Sequence, residues 1–289
     1  MTDFEILLFD RIEKIKSINE QYDLENNAYI SFSGGKDSTI LHYLIDLALP
    51  NNKIPRVFIN TGIEYKDIVN FVRQLSSYDR RFNIIRPTKN IKNSLDEYGY
   101  PFKSKEHSLY VSVYQNMGNE SKTVRNYLTK NNFNCPKILK YQFSDDFKIK
   151  ISDKCCFKLK KEPIQEWMKE NNKPITITGM RKAEGGLRNN INCIITDKNN
   201  NVLKFHPLSV VNDEWCDWFI KEHKINLCRL YYPPFNFKRT GCKGCPFNIK
   251  LQESLNIMEK YLPKEKEQCE LIWKPVYDEY RRIGYRLKK

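Results

Sequence analysis

Ser33-Gly34-Gly35-Lys36-Asp37-Ser38 follows the short stretch Ala28-Tyr29-Ile30-Ser31-Phe32 and precedes an apolar run from Thr39 to Leu49. A strand that enters a glycine turn and then a helix makes an anion site. The glycines let successive backbone N–H groups turn toward phosphate oxygens, and the helix start adds partial positive charge. Lys36 adds a full charge, and Ser33 and Ser38 offer hydroxyl hydrogen bonds. Asp37 is out of place beside phosphates unless it orders the loop or a bound cation. The spacing is not that of a Walker loop, which needs four residues between its first Gly and its Gly-Lys pair.

Two cysteine pairs form a second constellation. Cys155-Cys156 opens a basic stretch ending at Pro163, and Cys242-Lys243-Gly244-Cys245-Pro246 lies much later. A C-x-x-C turn presents two sulfurs to one centre, and the two pairs can meet only in the fold. Four sulfurs suit zinc or an iron–sulfur cluster equally well. Cys135, Cys193, Cys216, Cys228 and Cys269 read as ordinary thiols, a residue type that is often buried.

The loop resembles the SGGxDS loop of the PP-loop superfamily, whose members grip the pyrophosphate of ATP and often cleave it to an adenylate. The cysteine set resembles the [4Fe–4S] signature of assimilatory adenylylsulfate reductases, within the phosphoadenosine phosphosulfate (PAPS) reductase family. Further stretches are similar to that family: Asn60-Thr61-Gly62 to D-T-G, Gly179 to Glu184 to G-x-R-x-x-E, and His206-Pro207-Leu208 to the P-L before its tryptophan helix. That helix reads Val211 to Trp218 here, and Arg239-Thr240-Gly241-Cys242 is similar to R-x-G-C. The resemblance runs from about residue 27 to 246.

From it follow expectations. Lys36, Asp37 and Ser38 are catalytic. Ser31, Ser33, Gly34, Gly35, Asn60, Thr61, Gly62, Gly179 and Arg181 complete the nucleotide site. Lys158, Lys161, Arg188 and Arg239 meet anions or substrate. Cys155, Cys156, Cys242 and Cys245 hold a [4Fe–4S] cluster, with zinc the alternative, and ATP binds with Mg2+. The fold implied is α/β: a doubly wound, mostly parallel sheet of the PP-loop type with a C-terminal helical, cysteine-containing region.

Two departures stand against the family pattern. The sequence ends Arg286-Leu287-Lys288-Lys289 without the acidic-Cys-Gly motif that carries the reductases' attacking thiol, and Cys269 sits between Glu267 and Glu270, which disfavour a thiolate. Asn60 stands where the family has Asp.

The elements needed to position these residues are legible. Apolar positions at Ile6, Leu7, Leu8, Ile12, Ile15 and Ile18 have helical spacing. Pro55–Asn60, Phe82–Arg86 and Pro174–Gly179 read as further strands, the last rich in β-branched residues. Two apolar runs around residues 197–201, between Ile191 and Pro207, read as a hairpin. Strands alternating with helical stretches imply parallel β-α-β units. Domain organisation is read as an N-terminal helix over 1–26, a nucleotide-binding domain over 27–230 with an insertion near 108–150, and a metal-site segment with a basic helical tail over 231–289.

Composition bounds the function classes. The 289 residues carry 49 Lys and Arg against 35 Asp and Glu, a net charge of +14 that favours a polyanionic partner. No secretory signal follows the N-terminus and no apolar run reaches membrane length, so the expectation is a cytoplasmic protein with no membrane partner. Clustered thiols then read as metal or redox groups.

Three functions follow. The first is an ATP-dependent iron–sulfur sulfurtransferase acting on DNA or RNA, served by a sulfur donor such as a cysteine desulfurase. The second is a PAPS or adenylylsulfate reductase using an external thiol reductant, with Arg181, Arg188, Lys158, Lys160 and Lys161 on the sulfate or phosphate. The third is a non-catalytic nucleotide-binding subunit. His107 reads as a surface histidine, with a general base the alternative, and His206 as structural; the aromatic run Tyr231 to Phe235 could stack bases or pack beside the metal site, the second being preferred.

Overall fold

The computed structural model describes residues 1–129 and 135–288. Six strands build the sheet: β1 (Ala28–Ser31), β2 (Arg56–Ile59), β3 (Phe82–Ile85), β4 (Ile175–Ile177), β5 (Ile194–Thr196) and β6 (Val202–Phe205). Their spatial order is β3-β2-β1-β4-β6-β5. Every neighbouring pair is parallel except β5 with β6, which close the expected hairpin. This is the α/β, mostly parallel sheet implied by the sequence.

Both faces of β1 are covered, and its first three residues are buried. Ala28 and Ile30 point into a core built with Ile15 and Ile18 of the Asp3–Tyr22 helix, Ile40 and Leu44 of the Lys36–Ala48 helix, and Trp215 and Phe219 of the Asp213–Glu222 helix. Tyr29, between them in sequence, points to the opposite face and packs with Val57 and Trp167. Alternation with period two thus serves two helical layers at once.

Arg56 on β2 is fully buried. It is tolerated because the guanidinium is satisfied: Nη2 meets Asp46 Oδ1 at 2.5 Å, Nη1 meets Asn52 Oδ1 at 2.8 Å and Nε meets His42 Nδ1 at 3.1 Å.

The chain forms two compact units, each discontinuous in sequence. The first comprises residues 1–60, 66–86 and 164–240 and holds the whole sheet. The second comprises residues 61–65, 87–163 and 241–289. The segment near 108–150 falls in this second unit. Its described part is helical over Lys105–Met117 and Lys122–Thr129, with a 3-10 turn at Lys137–Gln142. Residues 130–134 of that segment, and Lys289 of the basic tail, lie outside the described residues. Among the described residues no helix is long and apolar enough to cross a membrane.

Candidate functional site

β1 lies between β2 and β4, where the order of strand connections reverses, and in open α/β sheets ligands bind at such a point beyond the strands' carboxyl ends. Two loops of the first unit meet there. The chain leaves β1 through Gly34 at φ +71°, and a Cβ at that residue would sit 2.8 Å from Ile68 Cγ2. Glycine is therefore required by both conformation and space.

Gly35 is the N-cap of the Lys36–Ala48 helix, and no side chain among the described residues caps it. The helix start is thus left to an incoming acceptor. The hydroxyls shape the loop instead. Ser33 Oγ lies 3.0 Å from Ser38 Oγ and accepts the Gly35 N–H at 3.3 Å, while Ser38 and Thr39 each donate to the Gly35 carbonyl at 3.0 Å. Lys36 Nζ lies 3.4 Å from Asp217 Oδ1.

The loop after β4 supplies the second wall. Gly179 passes so close to the helix start that a Cβ there would stand 2.7 Å from the Asp37 carbonyl oxygen. Two residues on, Arg181 is buried and donates from Nε to Asp37 Oδ1 at 2.8 Å and from Nη2 to Asp213 Oδ1 at 2.7 Å. Its third nitrogen, Nη1, is buried without a hydrogen-bond partner among the described residues. Burial pushes the Asp37 carboxyl above its ordinary range, against the pull of Arg181. The hydrogen bond from Arg181 holds Asp213 below it. Glu184 gathers two more of the expected anion-binding residues, pairing with both Arg188 and Arg239.

Ser31 ends β1, and Asn60 extends β2 by donating its N–H to the Ile85 carbonyl at 2.8 Å. Thr61 and Gly62 belong to the second unit. Thr61 is buried and donates from its backbone N–H to Glu64 Oε2 at 2.8 Å, while Gly62 has φ +86° and open space at its Cβ position.

The second unit contains the cysteine constellation. Cys155, Cys156, Cys242 and Cys245 line one cavity together with Ile63 and Trp273. Gly244 makes the C-x-x-C turn feasible: its φ is +61°, and a Cβ there would meet Tyr277 Oη at 2.5 Å and Cys269 Sγ at 2.7 Å. The C-terminal helices strap this turn in place. Trp273 Nε1 donates to the Lys243 carbonyl at 3.2 Å and Tyr280 Oη to the Pro246 carbonyl at 2.9 Å.

Burial raises all three of Cys155, Cys242 and Cys245, the last to about 12. Thiolates in such a place would need a cation beside them, which is what a bound metal would supply. Lys160 supplies a further charge: burial opposes it, but Cys242 and Glu64 more than offset that and hold it protonated. Its Nζ lies 3.5 Å from Glu64 Oε1. No three His, Cys, Asp or Glu side chains among the described residues are grouped tightly enough for a single metal ion.

Of the remaining anion-binding residues, Lys158 pairs with Glu162 at 2.5 Å and Lys161 is exposed. Both stand in the second unit, whereas Arg188 and Arg239 stand in the first. Sequence reasoning passed over the salt-bridge roles of Asp213, Asp217 and Glu64. Carboxylates on separate segments carry no local signal of the cation they will meet.

One expectation is corrected. His107 is not a surface histidine: it is fully buried, with Nδ1 2.9 Å from Tyr127 Oη and Nε2 2.7 Å from Gln142 Oε1. Burial lowers its pKa to about 4. The helix of residues 105–117 turns that side chain inward, a direction that the flanking Ser104-Lys105-Glu106 concealed. Tyr231 stands at the phosphate loop, with Oη 2.6 Å from Thr240 Oγ1 and 3.1 Å from the Cβ position of Gly35. His206 is structural, buried with Nδ1 2.7 Å from Thr178 Oγ1.

Residues 27–248 match the phosphoadenosine phosphosulfate reductase domain family. A protein of Methanocaldococcus jannaschii, MJ0973, is 34% identical over 104 residues, which cover 32% of this chain and 25% of that protein. The match thus spans about a quarter of the relative's length. Among solved structures, the phosphoadenylyl-sulfate reductase of Candida auris is 17% identical over 75% of this chain and 81% of its own, with a TM-score of 0.43. The FMN adenylyltransferase of Candida glabrata in complex with ATP is 15% identical over 84% and 64%, with a TM-score of 0.49. The NH3-dependent NAD synthetase of Campylobacter jejuni is 13% identical over 100% and 99%, with a TM-score of 0.42.

Proposed function

The chain belongs to the phosphoadenosine phosphosulfate reductase domain family, and on that premise we propose that it is an ATP-cleaving sulfurtransferase whose acceptor is a nucleic acid. The observation that carries the reading is the phosphate cradle: an uncapped helix start at Gly35, Lys36 beside it, and Arg181 locked to Asp37. Such a site holds a nucleotide's phosphates by backbone N–H groups and fixed positive charge.

In this reading, an acceptor oxygen attacks the α-phosphorus of Mg2+-bound ATP. The new oxygen–phosphorus bond forms as the bond to the β-phosphate breaks, and pyrophosphate leaves. Lys36 and the loop N–H groups stabilise the charge that develops on the phosphate oxygens, and Ser33 and Ser38 keep the loop in shape. Sulfur at the hydrosulfide level then attacks the activated centre and expels AMP, which carries away the former acceptor oxygen. If the sulfur arrives as a persulfide, a thiol reductant supplies the two electrons required.

Cys155, Cys156, Cys242 and Cys245 would hold a [4Fe–4S] cluster. This assignment rests on the likeness of the two pairs to the family's cluster signature, with a single zinc ion on four sulfurs the alternative. When bound, it would supply electron transfer or a site for sulfur carriage.

The reductase alternative needs a reactive thiol. Cys269, the thiol that follows Cys245 in the sequence, is buried and pushed up to about 12. A thiol held neutral in this way is a poor nucleophile, so a reductase built on this chain would draw on the external thiol.

Anaerobically purified protein incubated with α-labelled ATP, with and without DNA or RNA, tests the reading. AMP formation stimulated by nucleic acid is expected. Sulfite release from labelled PAPS with an added thiol, without ATP cleavage, would replace it by the reductase. Nucleotide binding with neither reaction would leave a regulatory subunit.

A further inference from the structure

We infer that a cleft beside Tyr98 in the second unit binds single-stranded nucleic acid; the inference rests on the nucleic-acid reading above and locates its binding surface. Net charge points to this unit first. It holds 26 Lys and Arg against 16 Asp and Glu, 26 − 16 = +10 of the chain's +14. Residues 148–161 alone contain six lysines and one acidic residue, Asp153.

Around one ring the charge converges. Lys158 Nζ stands 5.3 Å from the centre of the Tyr98 ring, Lys89 Nζ 5.6 Å and Lys154 Nζ 5.7 Å. Lys89 pairs with Glu97 and Lys158 with Glu162, so two carboxylates face three ammonium groups. The arrangement is held by backbone. Tyr98 ends the Ile91–Tyr98 helix, and Gly99 at φ +103° brings the chain so close to Lys150 that a Cβ would lie 2.7 Å from its carbonyl oxygen. Tyr100 then donates its N–H to that carbonyl at 2.8 Å. The lysine-rich segment is thereby fixed against the end of the helix that carries the tyrosine.

Beside this ring opens a cleft of about 640 Å³ whose lining includes Tyr98, Tyr114 and Phe147, with Lys148, Lys150 and Lys154. Its two carboxylates are engaged, Glu97 with Lys89 and Asp145 as acceptor from Tyr114 Oη at 3.4 Å. Aromatic faces among ammonium groups are the elements of single-strand binding, in which bases stack and phosphates are neutralised with little regard to sequence. A duplex conceals its base faces and gains only the charge. An acidic peptide gains only the charge as well.

The test uses the full chain and fluorescently labelled oligonucleotides of about twelve residues, matched to the usual single-strand site size. Anisotropy titrations compare single strands of DNA and RNA, the matched duplex, and a polyaspartate competitor across a KCl series. Tyr98→Ala is expected to weaken single-strand binding about tenfold and Tyr98→Phe about twofold or less, since stacking survives in phenylalanine. Replacing Lys89 and Lys154 together by Ala should reduce the salt slope by about 1.4, at roughly 0.7 per lost phosphate contact. Circular dichroism and melting temperatures verify that each variant folds.

Equal affinity for duplex and single strand, displacement by polyaspartate at matched charge, or no effect of the folded Tyr98 and lysine variants would each overturn the inference. Failure of the two proposals is separable. Tyr98-dependent binding without stimulated AMP formation sinks the transferase and leaves the surface. Stimulated AMP formation that survives unchanged in the variants sinks the surface and leaves the transferase.

Discussion

Arg181 holds Asp37: the Nε of one lies 2.8 Å from the Oδ1 of the other, tying the loop after β4 to the first turn of the helix after β1. This accounts for an acidic residue within a phosphate loop. Asp37 offers its charge to Arg181, and Asp213 takes a second side of the same guanidinium at 2.7 Å.

Removing Arg181 should therefore damage fold and ligand binding together. Arg181→Met leaves a mostly buried carboxylate unpaired, with an expected loss of about 2 kcal/mol of stability, below the full penalty for a buried pair because Asp37 remains 30% exposed. Adding Asp37→Asn removes the stranded charge and should restore part of that loss. Chemical denaturation of the two single variants and the double variant measures the coupling. Additive effects would show that the pair is not a unit.

Gly179→Ala is the backbone counterpart. The new methyl would stand 2.7 Å from the Asp37 carbonyl oxygen and 2.9 Å from its carbon, both main-chain atoms unable to swing aside. The expected destabilisation is about 1–3 kcal/mol, from overpacking. Nucleotide affinity, measured by calorimetry, should fall in the same variant because the loop opens from the helix start. A variant as stable and as tight-binding as the parent would show that the two loops are not in working contact.

The contrast between Asp37 and His107 shows what the sequence discloses. The strand-loop-helix at residues 28–48 was legible because glycine spacing and an apolar run are local signals, and the same holds for β2, β3, β4 and the β5–β6 hairpin. The two cysteine pairs were legible as pairs. What was hidden depends on contacts distant in sequence: the Arg181 guanidinium between Asp37 and Asp213, the link from Lys160 to Glu64, and the inward turn of His107 toward Tyr127 and Gln142. A helix with a polar first turn does not announce which of its residues faces the core.

For the cysteine set, single Cys→Ser substitutions at 155, 156, 242 and 245 should each abolish or strongly reduce iron and acid-labile sulfide in anaerobic preparations. The parent should hold about four irons per chain. Cys269→Ser should retain the full content, although Cys269 packs against Gly244 of the same turn. Zinc in place of iron in the parent, or full iron content in all four variants, would refute the cluster assignment.

Acid should destabilise the fold through its histidines. Burial, as the leading cause, lowers His42, His107 and His206 from 6.5 to about 4, with Arg56 adding to the effect at His42. Because each folded value lies below the unfolded one, the unfolded chain binds the extra protons between them. Stability is then full above pH 6.5 and falls as pH drops toward 4. At pH 5 the loss is on the order of 2 kcal/mol per histidine, from ~1.4 kcal/mol per pKa unit. Melting temperatures at pH 7.5, 6 and 5 should fall steadily in the parent. His107→Gln should start lower, having lost two ring hydrogen bonds, yet fall less between pH 7.5 and 5, because one titrating group is gone while the carboxylates are unchanged. Parallel curves for parent and variant would show that His107 takes up its proton in the folded state as readily as in the unfolded one.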